Sequence, residues 1–587
     1  MRPEKIGAGL ALAVMLITAV AAAANPAVLQ EVPANSQLVV VTQPLSQLGA
    51  KVNMFAQQAG LIPPMDGQQE AVNMPEMLGA ELGIAGQIDA SRGLALAVAD
   101  LMDMERTAMA FIPVTDATAA VQMMGAQPAP GVPGVFLLPD PDMFQYLAPA
   151  GKYLLLGSDS QQLRLMPTVA KGYQVTPVEQ GILSNSEVGV LVDLTAVMPE
   201  ARKELLAAIA DEPQLAQHLS LKNLLISAVD RLGETQKAAA GLSFRPEGIA
   251  LTIRAQAAQG STLAQYLSGH PKTGIGILSK LPAQSWMSAS VYRFDPKLIV
   301  GPINALAEAI KQDPTVQGKI QPADLEQVRQ ALADVYTTAM SGTAAEAGYI
   351  VGAGDPKAMI AQLNAFETAS QMQSVPQALN LISGPAAQIA SQAGYPVSAS
   401  YEENAGTVDS TQYSKWTLDL SQVDLPAEAM QALQMHLTGD MTMEYLLANL
   451  PNQRLAVARD EAALNTLVGL AQTGGLDQEP ALAKSAKNLP PQANAYLFVQ
   501  PGRMVQVMMQ AMMAQAQQQG PNPMLMMMPM FTQIQGAIGT AVTAEDGALQ
   551  VDLFVPNEVV QSSVGMFMQM QMGMMGPGTG AQQEGQW

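Results

Sequence analysis

The sequence predicts an α+β protein of two tandem related copies, with mostly antiparallel sheets and helices packed on one face. Three observations predict it. Short apolar runs with period-two alternation recur along the chain, the pattern of half-buried strands. Turn signals such as Pro246-Glu247-Gly248 join neighbouring runs, which favours hairpins over long crossovers. The same order of segments is also written twice: Val32-Pro33-Ala34-Asn35-Ser36 opens one series and Leu281-Pro282-Ala283-Gln284-Ser285 the other.

The first series opens with a strand from Gln37 to Thr42 and a helix from Ser46 to Ala59, then a Pro/Gly-rich linker around Pro63 and Pro64. A short helix from Pro75 to Leu82 leads to strands at Gly93–Ala99 and Ala108–Val114. Asp116 starts a helix that ends near Gly125. Further strands fall at Val135–Leu138, Met143–Ala148 and Lys152–Gly157, and Asp159 opens a helix reaching Ala170. Asp is a favoured N-cap because its carboxylate accepts from the unpaired N–H groups of a first turn. The strand Val188–Asp193, the helix Pro199–Ala210 and a hairpin turning at Pro246-Glu247-Gly248 complete the series.

The second series runs in the same order. Ser288–Tyr292 is a strand and Pro296–Ile310 a helix. Gly348–Val351 is a strand, and Asp355 starts a helix ending near Phe366. Pro396–Tyr401 and Lys415–Leu420 form a hairpin around Glu402–Gly406. Met443-Glu444-Tyr445-Leu446 matches Met143-Phe144-Gln145-Tyr146-Leu147, which puts Tyr445 at the position of Tyr146. A strand at Leu455–Ala458, a helix opened by Asp460, a strand at Ala495–Val499, a helix from Gly502 and a turn at Glu545-Asp546-Gly547 follow. The offset between matching residues is 249 at the openings, 239 between Asp116 and Asp355, and 299 at the final turns. A changing offset means insertions between retained elements. The expected divisions are a signal peptide over 1–24, copy one over 25–275, copy two over 276–572, and a Gly/Gln-rich disordered tail over 573–587.

The N-terminus reads as a targeting signal. Arg2 and Lys5 precede an apolar run from Ile6 to Val20, and Ala22-x-Ala24 supplies small residues for cleavage before Asn25. The expected location is secreted or periplasmic, the alternative being anchorage by an uncleaved N-terminal segment. No later segment reads as a transmembrane helix. The formal net charge is -21, without a basic cluster, which excludes nucleic acid as an expected partner. The chain has no cysteine, so it has neither a disulfide framework nor a thiol nucleophile.

Motif chemistry is sparse. Gly348-Tyr349-Ile350-Val351-Gly352-Ala353-Gly354-Asp355 has the look of a strand feeding a glycine-rich phosphate loop, but Lys357 stands where the third glycine belongs. Asp355 followed by Pro356 reads better as a helix cap. The carboxylates Asp100, Asp103 and Glu105, and the pair Glu402 and Glu403, lack calcium-loop spacing and read as solvated turns. His218, His270 and His436 are far apart in sequence. No hydrolase, zinc-protease or nucleotide motif is present, so neither an enzyme nor a bound cofactor is expected.

Methionine is the unusual component: the chain has 38. Met504, Met508 and Met512 fall on one helical stripe, and Met566, Met568 and Met570 alternate further on. Thioethers are soft ligands for copper(I), which makes these six the candidate metal ligands of a methionine-rich periplasmic copper protein. The competing expectation is that methionine fills an apolar face, with Gln506 and Gln510 opposite.

The openings at Val32 and Leu281, with Leu489-Pro490-Pro491-Gln492-Ala493, resemble the module starts of a bacterial secreted family of unknown function, a family with Leu-Pro-Ala-like strand–helix starts. Ala110–Ala120 and Gly151–Leu163 look similar to its inner strand–helix units. The resemblance implies an exported α+β protein and brings no catalytic residues. The expected function is an exported, non-enzymatic binding or scaffolding protein of the bacterial envelope. Its partner would be a protein, a lipid or a small apolar ligand.

Overall fold

The computed structural model describes residues 26–61, 73–139, 144–166, 172–211, 219–312, 318–352, 360–393, 396–423, 441–519 and 534–574. The strands in chain order are β1 (Leu38–Thr42), β2 (Ala95–Val98), β3 (Ala108–Pro113), β4 (Gln127–Pro128), β5 (Phe136–Leu137), β6 (Tyr146–Ala150), β7 (Tyr153–Gly157), β8 (Val188–Asp193), β9 (Thr235–Arg245) and β10 (Gly248–Ala257). They continue as β11 (Trp286–Tyr292), β12 (Ala344–Ile350), β13 (Ile360–Phe366), β14 (Ser398–Val408), β15 (Thr411–Asp419), β16 (Thr442–Leu450), β17 (Arg454–Ala458), β18 (Ala495–Val499), β19 (Ile538–Glu545) and β20 (Ala548–Pro556). The fold is α+β, and every described pairing named below is antiparallel.

The chain divides into two compact units. The first comprises Met1–Glu204, Arg231–Leu267 and Asp546–Asn557; the second comprises Leu205–Asp230, Ser268–Glu545 and Glu558–Trp587. In the first unit the strand order is β4-β5-β6-β7-β3-β2-β1-β8-β9-β10-β20. In the second it is β14-β15-β16-β17-β13-β12-β11-β18-β19. Raising each strand number of the first unit by ten reproduces the order of the second from β14 to β19.

Burial explains which runs became strands. In β1, Val39 and Val41 are buried while Leu38 and Val40 are half-buried, the alternation of a strand with one wetter face. Tyr153-Leu154-Leu155-Leu156-Gly157 is buried at every position, and so reads as a continuous apolar run. Val39, Val41, Ala95, Ala97, Met109, Phe111, Leu155 and Leu191 join in the core of the first unit. The second unit has one cluster at Ala344, Phe366, Leu447 and Leu455, and another at Ile320, Leu325, Val328 and Ile389. Among the described residues no helix is long and apolar enough to cross a membrane.

Four sequence expectations are corrected. The segment from Ile360 to Phe366 is strand β13, not the end of a helix; Ala361, Leu363 and Ala365 are buried and Gln362 exposed, the period of two of a strand. Asp355 itself lies outside the described residues. Second, the hairpin turns at Asp409 and Ser410, both with positive φ, as two-residue hairpin turns require. Glu402 and Glu403 therefore lie in β14, beside a bulge before Gly406.

Third, Tyr445 does not occupy the position of Tyr146. Tyr146 pairs with Gly157, and Leu446 pairs with Ala458, each partner lying two residues before a capping aspartate. A slip of one residue puts the two tyrosines on opposite faces of their strands. Fourth, the final hairpins match at an offset of 300 rather than 299, because two-residue turns follow Arg245 and Glu545. The drift near the openings has a local cause: β11 carries a register shift between Trp286 and Ser288, which adds one residue.

Candidate functional site

In the first unit, a cavity of about 280 Å³ opens where the segment Ala34–Gln37 enters β1. Tyr173, Gln174, Asp193, Thr195, Ala196 and Lys237 complete its wall. β8 and β9 are neighbours, and their register sets Asp193 opposite Lys237. The backbone N–H of Asp193 donates to the Gln37 carbonyl at 2.7 Å, which ties the end of β8 to the opening segment.

Behind the wall lies Glu179, 1% exposed, at the third position of the helix Pro177–Asn185. A capping box holds it. The Glu179 carboxylate accepts from the Thr176 N–H at 2.7 Å, while the Glu179 N–H donates to the Thr176 hydroxyl at 3.2 Å. The same carboxylate accepts from the Tyr173 hydroxyl at 3.3 Å and from the Lys237 ammonium at 3.5 Å. Lys237 also lies 5.8 Å from the centre of the Tyr173 ring, within cation–π range. Burial pushes the Tyr173 phenol well above its ordinary pKa, and the negative charge of Glu179 pushes it further. The phenol therefore stays protonated as a donor to Glu179.

Asp193 is held differently. One of its carboxylate oxygens accepts from the Thr195 N–H at 3.0 Å and from the Thr195 hydroxyl at 2.5 Å. No lysine or arginine among the described residues lies within ion-pair distance of it, because the ammonium opposite is turned to Glu179. The wall thus holds the Asp193 carboxylate and the Lys237 ammonium among amides, hydroxyls, two alanines and the Tyr173 ring, with the Glu179 carboxylate behind it.

Among the described residues, the matching positions of the second unit lack these charges. The third position of its matching helix, Pro480–Lys487, is Leu482, fully buried. Ser288 pairs with Val499 as Leu38 pairs with Val192, so the residue corresponding to Asp193 is Gln500. Lys237 stands eight residues before the end of β9; the same place before the end of β19 is Ala537, also fully buried. None of the three charges recurs at these matching positions of the second unit.

The residues singled out by sequence are dispersed. Asp116 caps the helix Ala117–Met123 by accepting from the N–H groups of Thr118 and Ala119; after the corresponding strand β13 the cap is Thr368, not Asp355. Asp159 and Asp460 are N-caps too. The glycine-rich segment after Gly348 runs from one strand towards another, so no described helix N-terminus follows it. His218 and His436 lie outside the described residues, as does the tail from 575. Met504 and Met508 lie one turn apart on the helix Pro501–Gln519, 42% and 55% exposed, whereas Val507 is buried. The packing expectation is corrected for these two, since the inward face belongs to Val507. Met512 is in the same helix, and Met566, Met568 and Met570 are in the helix Asn557–Met574; their side chains lie outside the described ones. Among the described residues no three His, Cys, Asp or Glu side chains gather as metal ligands.

Sequence reasoning missed Glu179, Asp193 and Lys237. Gaps of 14 and 44 residues carry no motif. The usable signal was Thr176-Pro177-Val178-Glu179 set against Glu479-Pro480-Ala481-Leu482, where a capping glutamate is exchanged for leucine.

No protein-family model matches the chain, and no curated protein does. Three crystal forms of TP0453 (IV, III and I) are similar to 40–43% of this chain and 81–90% of theirs, at 10–12% identity and a TM-score of 0.22.

Proposed function

We propose that the chain is an exported, non-enzymatic binding protein of the bacterial envelope that holds a small polar solute in the cavity of its first unit. In this reading two copies of one module share a scaffold, and only the first bears a site. The observation that carries it is the confinement of Glu179, Asp193 and Lys237 to one unit, against Leu482, Gln500 and Ala537 in the other. A buried ion pair is weak evidence for stability, since apolar residues of similar volume often serve as well. The second unit has apolar residues at two of these positions, Leu482 near the volume of the glutamate and Ala537 much smaller than the lysine. Charges that the scaffold does without are best explained by something they bind.

Export is supported by the Arg2, Lys5 and Ala22-x-Ala24 pattern. Two measurements test the proposal. Expression with the full N-terminus, fractionation and N-terminal sequencing should return Asn25 as the first residue outside the cytoplasm; an intact Met1 in the cytosolic fraction overturns export. Thermal unfolding across a library of small polar solutes should raise the midpoint for some, and fail to do so in Lys237→Met or Asp193→Asn chains. Equal shifts in all three chains overturn the site.

A further inference from the structure

We infer that the cavity selects a small cationic solute, an ammonium compound of a few non-hydrogen atoms, with Asp193 as its counter-ion. The inference rests on the cavity being a ligand site, as proposed above, and names the class of ligand.

The charge count comes first. Glu179 and Asp193 bring two formal negative charges and Lys237 one positive, so these three side chains leave one negative charge unmatched. That charge is localised. Lys237 is committed to Glu179 at 3.5 Å and to the face of Tyr173. Asp193 has only the two donors of Thr195 on one oxygen. A carboxylate at a cavity wall without a cation favours an incoming positive charge over an incoming anion. An anionic ligand would have to compete with Glu179 for Lys237 while approaching Asp193.

The other groups agree with an ammonium. The Asn35 side chain lines the cavity with no hydrogen-bond partner among the described residues, and its carbonyl is an acceptor for a second N–H. Size narrows the choice further. Ligand sites commonly run from about 300 Å³ upwards, and about 280 Å³ places this cavity at the small end, the range of a small solute.

The test uses the mature chain and three probes of similar size: ethanolamine, acetate and glycine. Equilibrium dialysis at low ionic strength should show ethanolamine bound at millimolar concentrations or below. Asp193→Asn, which keeps an acceptor for Thr195, should weaken it roughly tenfold to a hundredfold, the scale of a hydrogen bond to a charged group. An unchanged unfolding midpoint for Asp193→Asn would show that the loss is not misfolding. Ethanolamine bound equally by Asp193→Asn overturns the inference. Acetate or glycine bound in preference, dependent on Lys237, overturns the class of ligand and leaves the site standing. None of the three probes bound overturns the cationic class, and the solute library then decides the site itself.

Discussion

Glu179 and Lys237 form a coupled pair whose energetics follow from their surroundings. Lys237→Met removes the ammonium and keeps much of the apolar stem. A buried carboxylate stripped of its partner costs about 3–5 kcal/mol when the pair is fully enclosed. Here the lysine side chain is 28% exposed and the contact is 3.5 Å, so solvent already screens it. Glu179 also keeps the Thr176 N–H and the Tyr173 hydroxyl. The expected cost falls to about 1–2 kcal/mol. Glu179→Leu loses the capping box, about 1 kcal/mol, and strands the Tyr173 hydroxyl, about 1–3 kcal/mol. It gains about 1.5–3 kcal/mol from a buried leucine, so the net cost lies between about −1 and about 2.5 kcal/mol. In the double variant no stranded carboxylate remains, and the first cost disappears. The double variant should therefore be more stable than the sum of the singles by about 1–2 kcal/mol, within the usual range for contacting residues. Urea unfolding of the four chains, followed by far-UV circular dichroism, measures it. Additivity within about 0.3–0.5 kcal/mol would refute the pairing.

Other outcomes follow from the same structure. Arg454, buried in the second unit, donates to the carbonyls of Pro451, Lys280 and Ala471; Arg454→Met should cost about 2–4 kcal/mol in denaturant unfolding, at about 1 kcal/mol per bond. A Cβ at Gly248 would press into the Val555 carbonyl across the β10–β20 ladder, so Gly248→Val should cost about 1–3 kcal/mol and speed amide exchange from Ile249 to Ala255. Hydrogen bonds from Arg329 and then Lys311 lower the Glu326 pKa from 4.5 to about 2. A carboxylate lowered on folding stabilises above its unfolded value, so the advantage over Glu326→Gln should hold above 4.5 and vanish as pH falls to about 2, read by acid unfolding of both chains. Met504→Leu with Met508→Leu should leave stability within about 0.5 kcal/mol, as for exposed sites. Copper(I) titration should show no binding tighter than micromolar; tighter binding lost in that variant would revive the metal.

Most strands and capping aspartates were legible because each is a local signal: Asp116, Asp159 and Asp460 need only the turn they cap. Register was not. Whether Tyr445 stands for Tyr146 or for Gln145 depends on which residue faces Ala458, and a bulge at Trp286 shifts the count without changing the apolar pattern. Ile360–Phe366 was misread because seven residues rich in alanine and leucine suit either period. The cavity was illegible for a related reason. It is assembled by strand neighbours, and the approach of Asp193 to Lys237 is a fact of pairing rather than of spacing.

Correct register also separates scaffold from site. Glu187 and Asn494 occupy matching places: the Glu187 N–H donates to the Leu242 carbonyl, and the Asn494 N–H to that of Val542. The Glu187 carboxylate accepts from the Phe244 N–H, and the Asn494 carbonyl from the Ala544 N–H. Glu187 also pairs with Lys51 at 3.3 Å, and the charge differs between the units while the backbone hydrogen bond survives, so an acceptor for that bond is what both units keep. Burial raises the Glu187 pKa, a cost that the asparagine avoids. At Glu179 the pattern reverses. Leu482 keeps the burial and the N–H bond to its N-cap, donated to the Glu479 carboxylate at 2.9 Å, and lacks every bond that the Glu179 carboxylate accepts. The acceptor of Glu187 recurs at Asn494, whereas the acceptor of Glu179 does not recur at Leu482. The Glu179 carboxylate, with the lysine it holds beside Asp193, is therefore a difference between the units that fits the ligand site proposed for the first.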